Sequence, residues 1–333
     1  MQVNGAPMSE RNLHLVTGAA GFIGSHLVDR LLTAGHRVFG VDNFVRGNKE
    51  NLRAARQHTG FAFLELDISD TAAFVAALNE VGGMIDVIWH LAANSDISAG
   101  GADAAIDLRD TFMTTYSVAQ VCREYGVRKL AFSSTSAVYG DHGSIAVHED
   151  IGPLFPISNY GAMKLASEAC LTALSEAALD NLWLFRFPNV IGGRATHGVI
   201  YDFLDKLEKT PHELRVLGNG TQCKPYLYVD DLLDAILLIV ERARDRINCF
   251  NIGPEDEGVL VRDIAEIVVD KACRNARILY GSEDRGWIGD IPRFRYAVDK
   301  IQALGWTPVC TSSREAVEKA VDAQVSERSG KSA

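Results

Sequence analysis

The sequence predicts an α/β protein with a doubly wound parallel sheet and a smaller C-terminal lobe. Short apolar runs alternate with longer segments of helical periodicity, a glycine-rich segment joins the first run to the first helical segment, and the regular alternation stops after Asn189. Short apolar runs are typical of parallel strands, which are buried on both faces. Strands that alternate with helices indicate βαβ units, whose right-handed crossovers place helices on both faces of one sheet.

Each predicted element in the first half follows from one of these two periodicities. The predicted strands are Leu13–Thr17, Val38–Val41, Phe61–Leu66, Val87–Leu91, Leu130–Ser133 and Trp183–Phe187. The predicted helices are Ile23–Thr33, Thr71–Val81, Ile106–Tyr125 and Ser158–Ala178. In the first helix Ile23, Leu27 and Leu31 fall on one face, as expected for a helix that covers a sheet.

The second half is less regular and predicts the lobe. Its predicted elements are a helix at Val199–Lys209, a strand at Tyr226–Val229, a helix at Asp231–Arg242 capped by Asp230, a strand and turn at Cys249–Pro254, and a helix at Val261–Cys273. The last residues, Ser326–Ala333, are small and polar. We expect this tail to be frayed.

Composition excludes several classes of protein. The chain has 333 residues, 47% of them hydrophobic, and a net charge of −10, which argues against a nucleic-acid-binding protein. Its longest apolar run, Ala235–Val240, is far too short to span a bilayer, and residues 1–11 contain no apolar signal sequence. Six scattered cysteines without zinc-type spacing favour reduced thiols. We therefore expect a cytoplasmic protein that binds no metal, membrane or nucleic acid.

The segment from Thr17 to Gly24, TGAAGFIG, predicts a dinucleotide site of the Rossmann type. Gly18, Gly21 and Gly24 allow a tight turn and a close approach of a pyrophosphate to the backbone. The helix that follows begins at Phe22 and Ile23, whose backbone amides are then available to the phosphates. An ordinary glycine turn is the alternative, but the strand before and the helix after this segment favour nucleotide binding.

An acidic residue ends the second predicted strand. Asp42 lies eighteen residues after Gly24. A carboxylate at this place accepts hydrogen bonds from the adenosine ribose and repels a 2′-phosphate, which favours NAD over NADP. Arg46 lies close in sequence and leaves some tolerance of NADP open.

A tyrosine and a lysine four residues apart are the candidate catalytic pair. Tyr160 and Lys164 fall on one face of a predicted helix, where an ammonium group would lower the pKa of the phenol and make it a general base. Thr135, at the carboxyl end of the fifth predicted strand, is the candidate partner for a substrate hydroxyl. A tyrosine and a lysine four residues apart also occur by chance in helices. Here the pair follows a predicted dinucleotide-binding loop, which favours a catalytic role.

Taken together, these motifs resemble the extended short-chain dehydrogenase/reductase family in its nucleotide-sugar branch. The motifs are TGxxGxxG at 17–24, Asp42, the hydroxyls of Ser134 and Thr135, YxxxK at 160–164 and RFPN at 186–189, and the resemblance covers most of the chain. Within the branch the sequence is most similar to the UDP-glucose 4-epimerases. The cofactor candidates that complete the set are Asn43, Asp67, Ile68, Leu91, Ala92, Ala93, Ser133 and Pro188.

The resemblance implies an NAD-dependent oxidation at C4 of a nucleotide-activated hexose. Dehydratases and decarboxylases of this branch carry carboxylates after the catalytic hydroxyl, whereas Ser136 and Ala137 follow Thr135. This favours epimerisation at C4 through a transient 4-keto sugar. A dehydratase, a 4-keto-sugar reductase, a UDP-hexuronate 4-epimerase and a non-catalytic NAD sensor stay open as alternatives, the last disfavoured because Tyr160 and Lys164 are both present.

The resemblance also implies the substrate site and the assembly. The candidate substrate contacts are Asn94, Thr135, Asn189, Val199, Val216, Lys224, Tyr226 and Arg285. Arg285 is a better phosphate candidate than Lys224, which stands where relatives often have arginine. Residues 11–188 would bind NAD, with 226–255 returning to that domain, and 189–325 would mainly hold the nucleotide sugar. Two predicted helices, 106–125 and 158–178, would form a homodimer contact.

Overall fold

The computed structural model describes residues 12–143, 145–283 and 294–331, with the side chains of Glu80 and Lys331 excepted. Its strands are β1 Leu13–Thr17, β2 Arg37–Asp42, β3 Phe61–Glu65, β4 Ile85–His90, β5 Lys129–Thr135, β6 Ala146–Val147, β7 Asn181–Phe187, β8 Asn189–Ile191, β9 Glu213–Val216, β10 Cys223–Lys224, β11 Tyr226–Tyr228, β12 Ile247–Asn251, β13 Val259–Leu260, β14 Arg277–Tyr280 and β15 Arg295–Tyr296.

Helices connect these strands. They are α1 Phe22–Thr33, α2 Thr71–Ala77, α3 Ile97–Ala102, α4 Ala104–Asp107, α5 Thr114–Tyr125, α6 Asn159–Ser175, α7 Val199–Lys209, α8 Val229–Arg242, α9 Val261–Ala272, α10 Asp299–Gln302 and α11 Ser313–Lys331. Short 3₁₀ turns lie at Lys49–Leu52, Ala55–Gln57, Leu78–Glu80 and Ser136–Val138, and a π-helical segment lies at Leu108–Met113.

Within the described residues, seven parallel strands form the central sheet in the order β12-β7-β5-β4-β1-β2-β3. The chain winds outward from β1 in one direction through β2 and β3, and in the other through β4 and β5. The strand order therefore reverses between β1 and β4, which is where open α/β sheets bind their ligands. The predicted fold class is confirmed.

Two hydrophobic cores cover the two faces of this sheet, and a third core fills the lobe. Leu27 of α1 and Ile236 of α8 pack on one face, and Val118 of α5 and Leu171 of α6 pack on the other. The lobe core joins α7, α9 and α11 to β9 and β11. The strand β12, from the second half of the chain, joins the edge of the central sheet beside β7.

The predicted helix over 106–125 is interrupted. The chain is α-helical over Ala104–Asp107, π-helical over Leu108–Met113 and α-helical again from Thr114. Threonine hydroxyls compete for carbonyls here: Thr114 Oγ1 donates to Thr111 O at 2.9 Å, and Thr115 Oγ1 also donates to Thr111 O at 3.0 Å. Such local bonds bend helices and are invisible to a hydrophobic period.

Asp230 is not the cap of α8, against the sequence prediction. The helix begins at Val229 after Tyr228, so that Asp230 and Asp231 both lie in its first turn. The Asp231 carboxylate instead accepts bonds from the backbone amides of Val309, at 2.6 Å, and Cys310, at 3.2 Å. No side chain caps the helix at Tyr228.

The expectation of a frayed tail from Ser326 was wrong for residues 326–331. The helix α11 continues to Lys331, because its last turns have partners in the rest of the chain. The carboxylate of Glu327 accepts a bond from Arg194 N at 3.0 Å, and Arg328 pairs with Glu208 at 2.8 Å. Among the described helices, none is both long enough and apolar enough to cross a membrane.

Candidate active site

The glycine turn between β1 and α1 packs tightly against the loop after β4. Gly18 has a φ of +70°, and a Cβ there would lie 2.9 Å from Ala92 N. A Cβ on Gly24 would overlap the carbonyl oxygen of Gly18. Glycine is therefore required at both positions for the turn to close and for α1 to start where it does.

The first turn of α1 offers free backbone donors. Its first hydrogen bond runs from Ser25 N to Gly21 O at 3.0 Å, so the amides of Phe22, Ile23 and Gly24 have no acceptor within the helix. These amides and the positive end of the helix dipole suit an anion such as a pyrophosphate.

Asp42 ends β2 and closes the other side of the turn. Its Oδ2 accepts a bond from Ala20 N at 3.0 Å and its Oδ1 one from Phe44 N at 2.7 Å. Burial raises the pKa of Asp42, and the backbone donors of Phe44, Ala20 and Gly21 oppose that rise. A carboxylate at this strand end, glycines that a Cβ would clash with, and a bare helix terminus together fit NAD.

The other cofactor candidates lie at the carboxyl ends of β2, β3 and β4. Asn43 hydrogen-bonds Asp67, whose carboxylate also accepts from Ser69 N at 2.9 Å, and Ile68 beside it is buried. Leu91 and Ala92, followed by Ala93, come next to the glycine turn because Leu91 N and Ala92 N both donate to Thr17 Oγ1, at 3.2 and 3.3 Å. Pro188 follows β7.

His90, the last residue of β4, is a buried packing residue that stabilises the strand end before Ala92 and Ala93. It is fully buried between two threonines: Nδ1 lies 2.8 Å from Thr17 Oγ1 and Nε2 lies 3.0 Å from Thr115 Oγ1. Burial lowers the pKa of His90 to about 3. The imidazole is therefore neutral at pH 7 and orders the turn rather than exchanging protons.

The helix α6 brings Tyr160 to the end of β5. Ser158 caps the helix by accepting from Gly161 N at 3.1 Å. A Cβ on Gly161 would lie 2.5 Å from Ala137 O, so glycine lets this first turn approach the 3₁₀ turn that follows Thr135. Tyr160 thereby lies close to the hydroxyl of Thr135, which lowers the pKa of its phenol.

The pKa values of Tyr160 and Lys164 differ from the sequence prediction, in which the lysine lowers the pKa of the tyrosine. Burial raises the pKa of Tyr160 to about 12, and the hydrogen bond from Thr135, not the ammonium of Lys164, opposes that rise. Burial lowers the pKa of Lys164 to about 7, against the effect of Glu168. Lys164 Nζ donates to Ser133 O at 2.6 Å and lies 5.9 Å from the centre of the Tyr160 ring.

A buried ion pair that the sequence did not single out lies one turn beyond Lys164. Glu168 accepts from Arg186 Nε at 2.9 Å and from Arg186 Nη2 at 2.6 Å, and from Ser134 Oγ at 2.5 Å. Tyr160, Lys164 and Glu168 are spaced four residues apart and share one face of α6. That spacing was the available signal, and the pair ties the helix to β5 and β7.

The structure also buries Asp107 beside the pair, which the sequence did not indicate. It is fully buried, and its Oδ1 accepts a bond from Asn94 Nδ2 at 2.8 Å. Asn94 was the candidate substrate contact of this loop. Its amide nitrogen also donates to Asp96 O at 2.9 Å and its oxygen accepts from Asp96 N at 2.9 Å, so Asn94 mainly organises the loop in this structure.

The remaining substrate candidates lie in the lobe. Asn189 of β8 and Tyr226 of β11 are paired across a parallel ladder, Asn189 exposed and Tyr226 buried. Val199 begins α7, and Val216 ends β9 within the lobe core. Lys224 lies in the two-stranded β10–β13 ladder. Arg285 lies outside the described residues. The roles of all these residues stay predictions.

Comparison with known proteins decides the family. The model of the NAD dependent epimerase/dehydratase family matches residues 14–253 of the chain. The chain belongs to this family. The match spans the glycine turn, Asp42, Thr135, the Tyr160–Lys164 pair and β12, so it includes all seven central strands except Leu13, the first residue of β1. Its cofactor is NAD.

Named relatives of this epimerase/dehydratase chain are sugar-nucleotide enzymes. A UDP-glucose 4-epimerase of Mycolicibacterium smegmatis is 36% identical over 67% of this chain and 71% of its own. One of Corynebacterium glutamicum is 30% identical over 92% of this chain and 94% of its own. A crystal structure of a UDP-galactose 4-epimerase superposes with a TM-score of 0.82 at 34% identity, covering 95% of this chain and 99% of its own.

Enzymes of known structure that share this fold are named for different reactions. A dTDP-glucose 4,6-dehydratase of Streptomyces venezuelae with NAD bound has a TM-score of 0.83 at 26% identity. A UDP-glucuronic acid 4-epimerase of Bacillus cereus with NAD bound has a TM-score of 0.81 at 27% identity. The fold therefore establishes a nucleotide-sugar epimerase/dehydratase family enzyme, and the choice of reaction depends on side chains.

Proposed function

We propose that this enzyme epimerises C4 of a nucleotide-activated hexose, with UDP-glucose and UDP-galactose as the substrate pair, through a transient 4-keto sugar. The observation that carries the proposal is the group of side chains at the end of β5. Thr135 lies close to Tyr160 and lowers the pKa of its phenol, and the next two residues, Ser136 and Ala137, belong to a 3₁₀ turn without a carboxylate. Elimination of water needs an additional acid and base there, whereas epimerisation does not.

In this proposal Tyr160 exchanges the proton of the C4 hydroxyl. Thr135 lies close to the phenol, so that a substrate hydroxyl placed between the two side-chain oxygens would bond both. Lys164 stands on the same face of α6, with its amine bonded to Ser133 O at 2.6 Å. Bound NAD supplies the acceptor and donor of hydride, so a cycle that returns the hydride to the sugar has no net redox change.

The glycine turn and the lobe would share the anionic groups of the two ligands. The amides at the start of α1 suit the NAD pyrophosphate, and the lobe candidates Asn189, Lys224 and Arg285 are proposed for the diphosphate of the sugar nucleotide. The relatives named UDP-glucose 4-epimerase and UDP-galactose 4-epimerase support the sugar and the nucleotide.

The test is to incubate the purified protein with UDP-galactose and to follow the anomeric signals by ¹H NMR. We expect UDP-glucose to form without added NAD, because the cofactor is recycled on the enzyme. Stoichiometric loss of 340 nm absorbance from added NADH, with no interconversion of UDP-hexoses, would show a reductase instead. Release of a 4-keto-6-deoxy sugar would show a dehydratase.

The Tyr160→Phe variant separates catalysis from cofactor binding. It removes the phenolic oxygen and keeps the ring, so we expect turnover to fall by about 10³-fold or more while bound NAD is retained. Retained activity would mean that another group is the base. The Tyr125→Phe variant is the matched control, since Tyr125 bonds Val75 O at 2.6 Å on the far side of α5.

We also propose a homodimer in the cytoplasm. Tyr116 of α5 is 39% exposed, and Leu108, in the π-helical segment before α5, is 49% exposed. These side chains leave apolar surface on the side of the sheet where α5 and α6 pack. The six cysteines, all within the described residues, form no disulfide, in keeping with a reducing compartment. Light scattering coupled to size exclusion should give twice the chain mass, and Tyr116→Asp should give the monomer.

A further inference from the structure

The carboxyl group of Asp107 belongs to α4, which contacts the helix of the proposed catalytic pair, and has no role in the reaction described above. Asp107 ends α4, which packs against α3 on one side and α6 on the other. Its side chain is fully buried. Carboxylates are rarely buried completely unless they are paired with a cation or serve a function.

One oxygen of this carboxyl group is held and the other is not. Oδ1 accepts the bond from Asn94 Nδ2 at 2.8 Å, whereas Oδ2 has no hydrogen-bond partner within residues 12–143, 145–283 and 294–331. A Cβ on Gly100 would overlap Oδ2. The carboxyl group therefore occupies the space that any other residue at position 100 would fill.

A backbone contact joins this arrangement to the helix that carries the tyrosine. The carbonyl of Gly100 accepts from Asn159 Nδ2 at 2.9 Å, and Asn159 directly precedes Tyr160 in α6. The position of the Asp107 carboxyl group and the position of the first turn of α6 thus depend on the same residue of α3.

The charge of Asp107 reaches both members of the pair. Burial raises the pKa of Tyr160 to about 12, and the negative charge of Asp107 adds to that rise. Burial lowers the pKa of Lys164 to about 7, and the charges of Glu168 and Asp107 limit that fall. Both effects favour the protonated forms of the two side chains.

The groups that face Asp107 from its neighbours also control its own charge. Burial raises the pKa of Asp107, and the carboxylates of Asp110 and Asp96 add to the rise. The hydrogen bond from Asn94 and the charge of Lys164 oppose it. The carboxyl group is thus balanced between several charges rather than locked in one ion pair.

We propose that Asp107 is a positioning residue for the Tyr160–Lys164 pair. Its buried carboxyl group packs against Gly100, which holds the first turn of α6 through Asn159, and its negative charge favours the ammonium form of Lys164 and thereby sets the pH range of the reaction. The part that concerns Lys164 is a property of the protein alone. The part that concerns the reaction rests on the proposed epimerase function.

The direct test is the titration of Lys164 by NMR in protein labelled with ¹³C at lysine Cε, with the NAD content matched between variants and the signal assigned with Lys164→Met. Asp107→Asn removes the charge and keeps an oxygen that can accept from Asn94. We expect the Lys164 midpoint to fall by about one pH unit, the lower end of the effect of an opposite charge on a neighbouring group. An unchanged or raised midpoint would overturn the proposal.

Asp103→Asn is the matched control. Asp103 caps the same helix by accepting from Ala105 N at 3.0 Å, and asparagine caps helices equally well. The substitution removes one negative charge four residues away without touching the buried carboxyl group. The Lys164 midpoint should stay within a few tenths of a unit of the wild-type value; a fall equal to that of Asp107→Asn would contradict the specific role.

The reaction gives a second readout. In Asp107→Asn both limbs of the pH profile of kcat/KM for UDP-galactose should move to lower pH, because each protonated form is less favoured. A uniform loss of activity without a shift would indicate a merely structural role. If no UDP-hexose is interconverted while the Lys164 midpoint still falls, the epimerase function fails and the effect of Asp107 on Lys164 stands.

Glycine variants test the same proposal without altering Asp107. Gly100→Ala should displace the carboxyl group, because its Cβ would overlap Oδ2, and should lower the Lys164 midpoint in the same direction as Asp107→Asn. A Cβ on Gly101, the next residue of α3, would meet nothing within 4 Å, so Gly101→Ala should leave the midpoint unchanged. Equal midpoints in these two variants would contradict the proposal.

Discussion

Burial, more than sequence spacing, sets the properties of the two candidate catalytic residues. The four-residue spacing of Tyr160 and Lys164 correctly predicts that they share a face of one helix. Their pKa values depend on how deeply β5, α3 and α4 cover them, which a helical period does not encode. The same is true of Asp107 and Glu168, since an acidic residue in a helix is usually exposed and the sequence gives no sign that these two are buried.

Lys164 should make stability depend on pH in a definite direction. Its folded-state pKa, about 7, lies below the ordinary lysine value of 10.5. Between these values the unfolded chain binds the proton and the folded chain does not, so the free energy of unfolding should rise with pH by up to about 1.4 kcal/mol per unit. Below pH 7 both states are protonated and the full cost of burial applies.

Chemical denaturation of wild type and Lys164→Met between pH 6 and pH 10 measures this effect. The difference between the two curves isolates Lys164 from other groups that titrate in the same range. We expect the variant to be the more stable protein at pH 6 and its advantage to shrink as the pH rises. Parallel curves would show that the amine is not buried with a lowered pKa.

At the scale of elements, the alternation of apolar runs and helical periods predicted six of the seven central strands and their parallel direction. The seventh strand, β12, was predicted as a strand and turn within a segment that returns to the first domain. Its position at the edge of the sheet was not predicted. The π-helical segment at 108–113 and the start of α8 depend on side chains that bond distant or competing backbone groups, such as Asp231 with Val309, and were therefore missed.

The close contact between α1 and the glycine turn predicts a strong effect of a single methyl group on NAD binding. In Gly24→Ala the new Cβ would overlap Gly18 O, so α1 must shift away from the turn. We expect NAD affinity to fall by about tenfold or more, equivalent to about 1.4 kcal/mol. Isothermal titration with NAD, after removal of bound cofactor, measures it.

Gly82→Ala is the control for that substitution, because a Cβ on Gly82 would meet nothing within 4 Å. Its NAD affinity should equal that of the wild type. If Gly24→Ala also binds NAD like the wild type, the glycine turn does not hold the pyrophosphate as proposed.

The buried ion pair between β7 and α6 predicts a non-additive effect on stability. Arg186 and Glu168 are both more than 90% buried, so Arg186→Leu leaves an unpaired carboxylate in the core and should cost about 3 kcal/mol or more. Adding Glu168→Leu removes that charge. We expect the double variant to be more stable than Arg186→Leu alone in urea unfolding; simple addition of the two losses would count against a coupled pair.

At the scale of the whole molecule, the last helix, α11, contacts the bend at Gly192 and Arg194, which connects the central sheet to the lobe. Gln324 Nε2 donates to Gly192 O at 2.9 Å, and Glu327 accepts from Arg194 N at 3.0 Å. Both contacts fix the bend that follows Asn189, a candidate for the substrate diphosphate. The polar composition of this segment gave no hint of them, because the partners lie more than 130 residues away in sequence.

Truncation of this helix should therefore weaken nucleotide binding. A chain that stops after Val325 loses Glu327 and Arg328, whereas one that stops after Arg328 keeps them. We expect the rise in Tm on adding UDP to be smaller in the first than in the second, by differential scanning fluorimetry. Equal shifts in the two chains would show that the bend does not need α11.

Isotope labelling tests the central claim most directly. We would incubate the enzyme with UDP-galactose that carries deuterium at C4 and analyse the UDP-glucose formed by ¹H NMR and mass spectrometry. The proposed cycle returns the hydrogen removed from C4 to the same carbon, so the product should keep its deuterium at C4 without added NAD. Loss of the label from C4, its appearance at C6, or a product other than the C4 epimer would contradict the account.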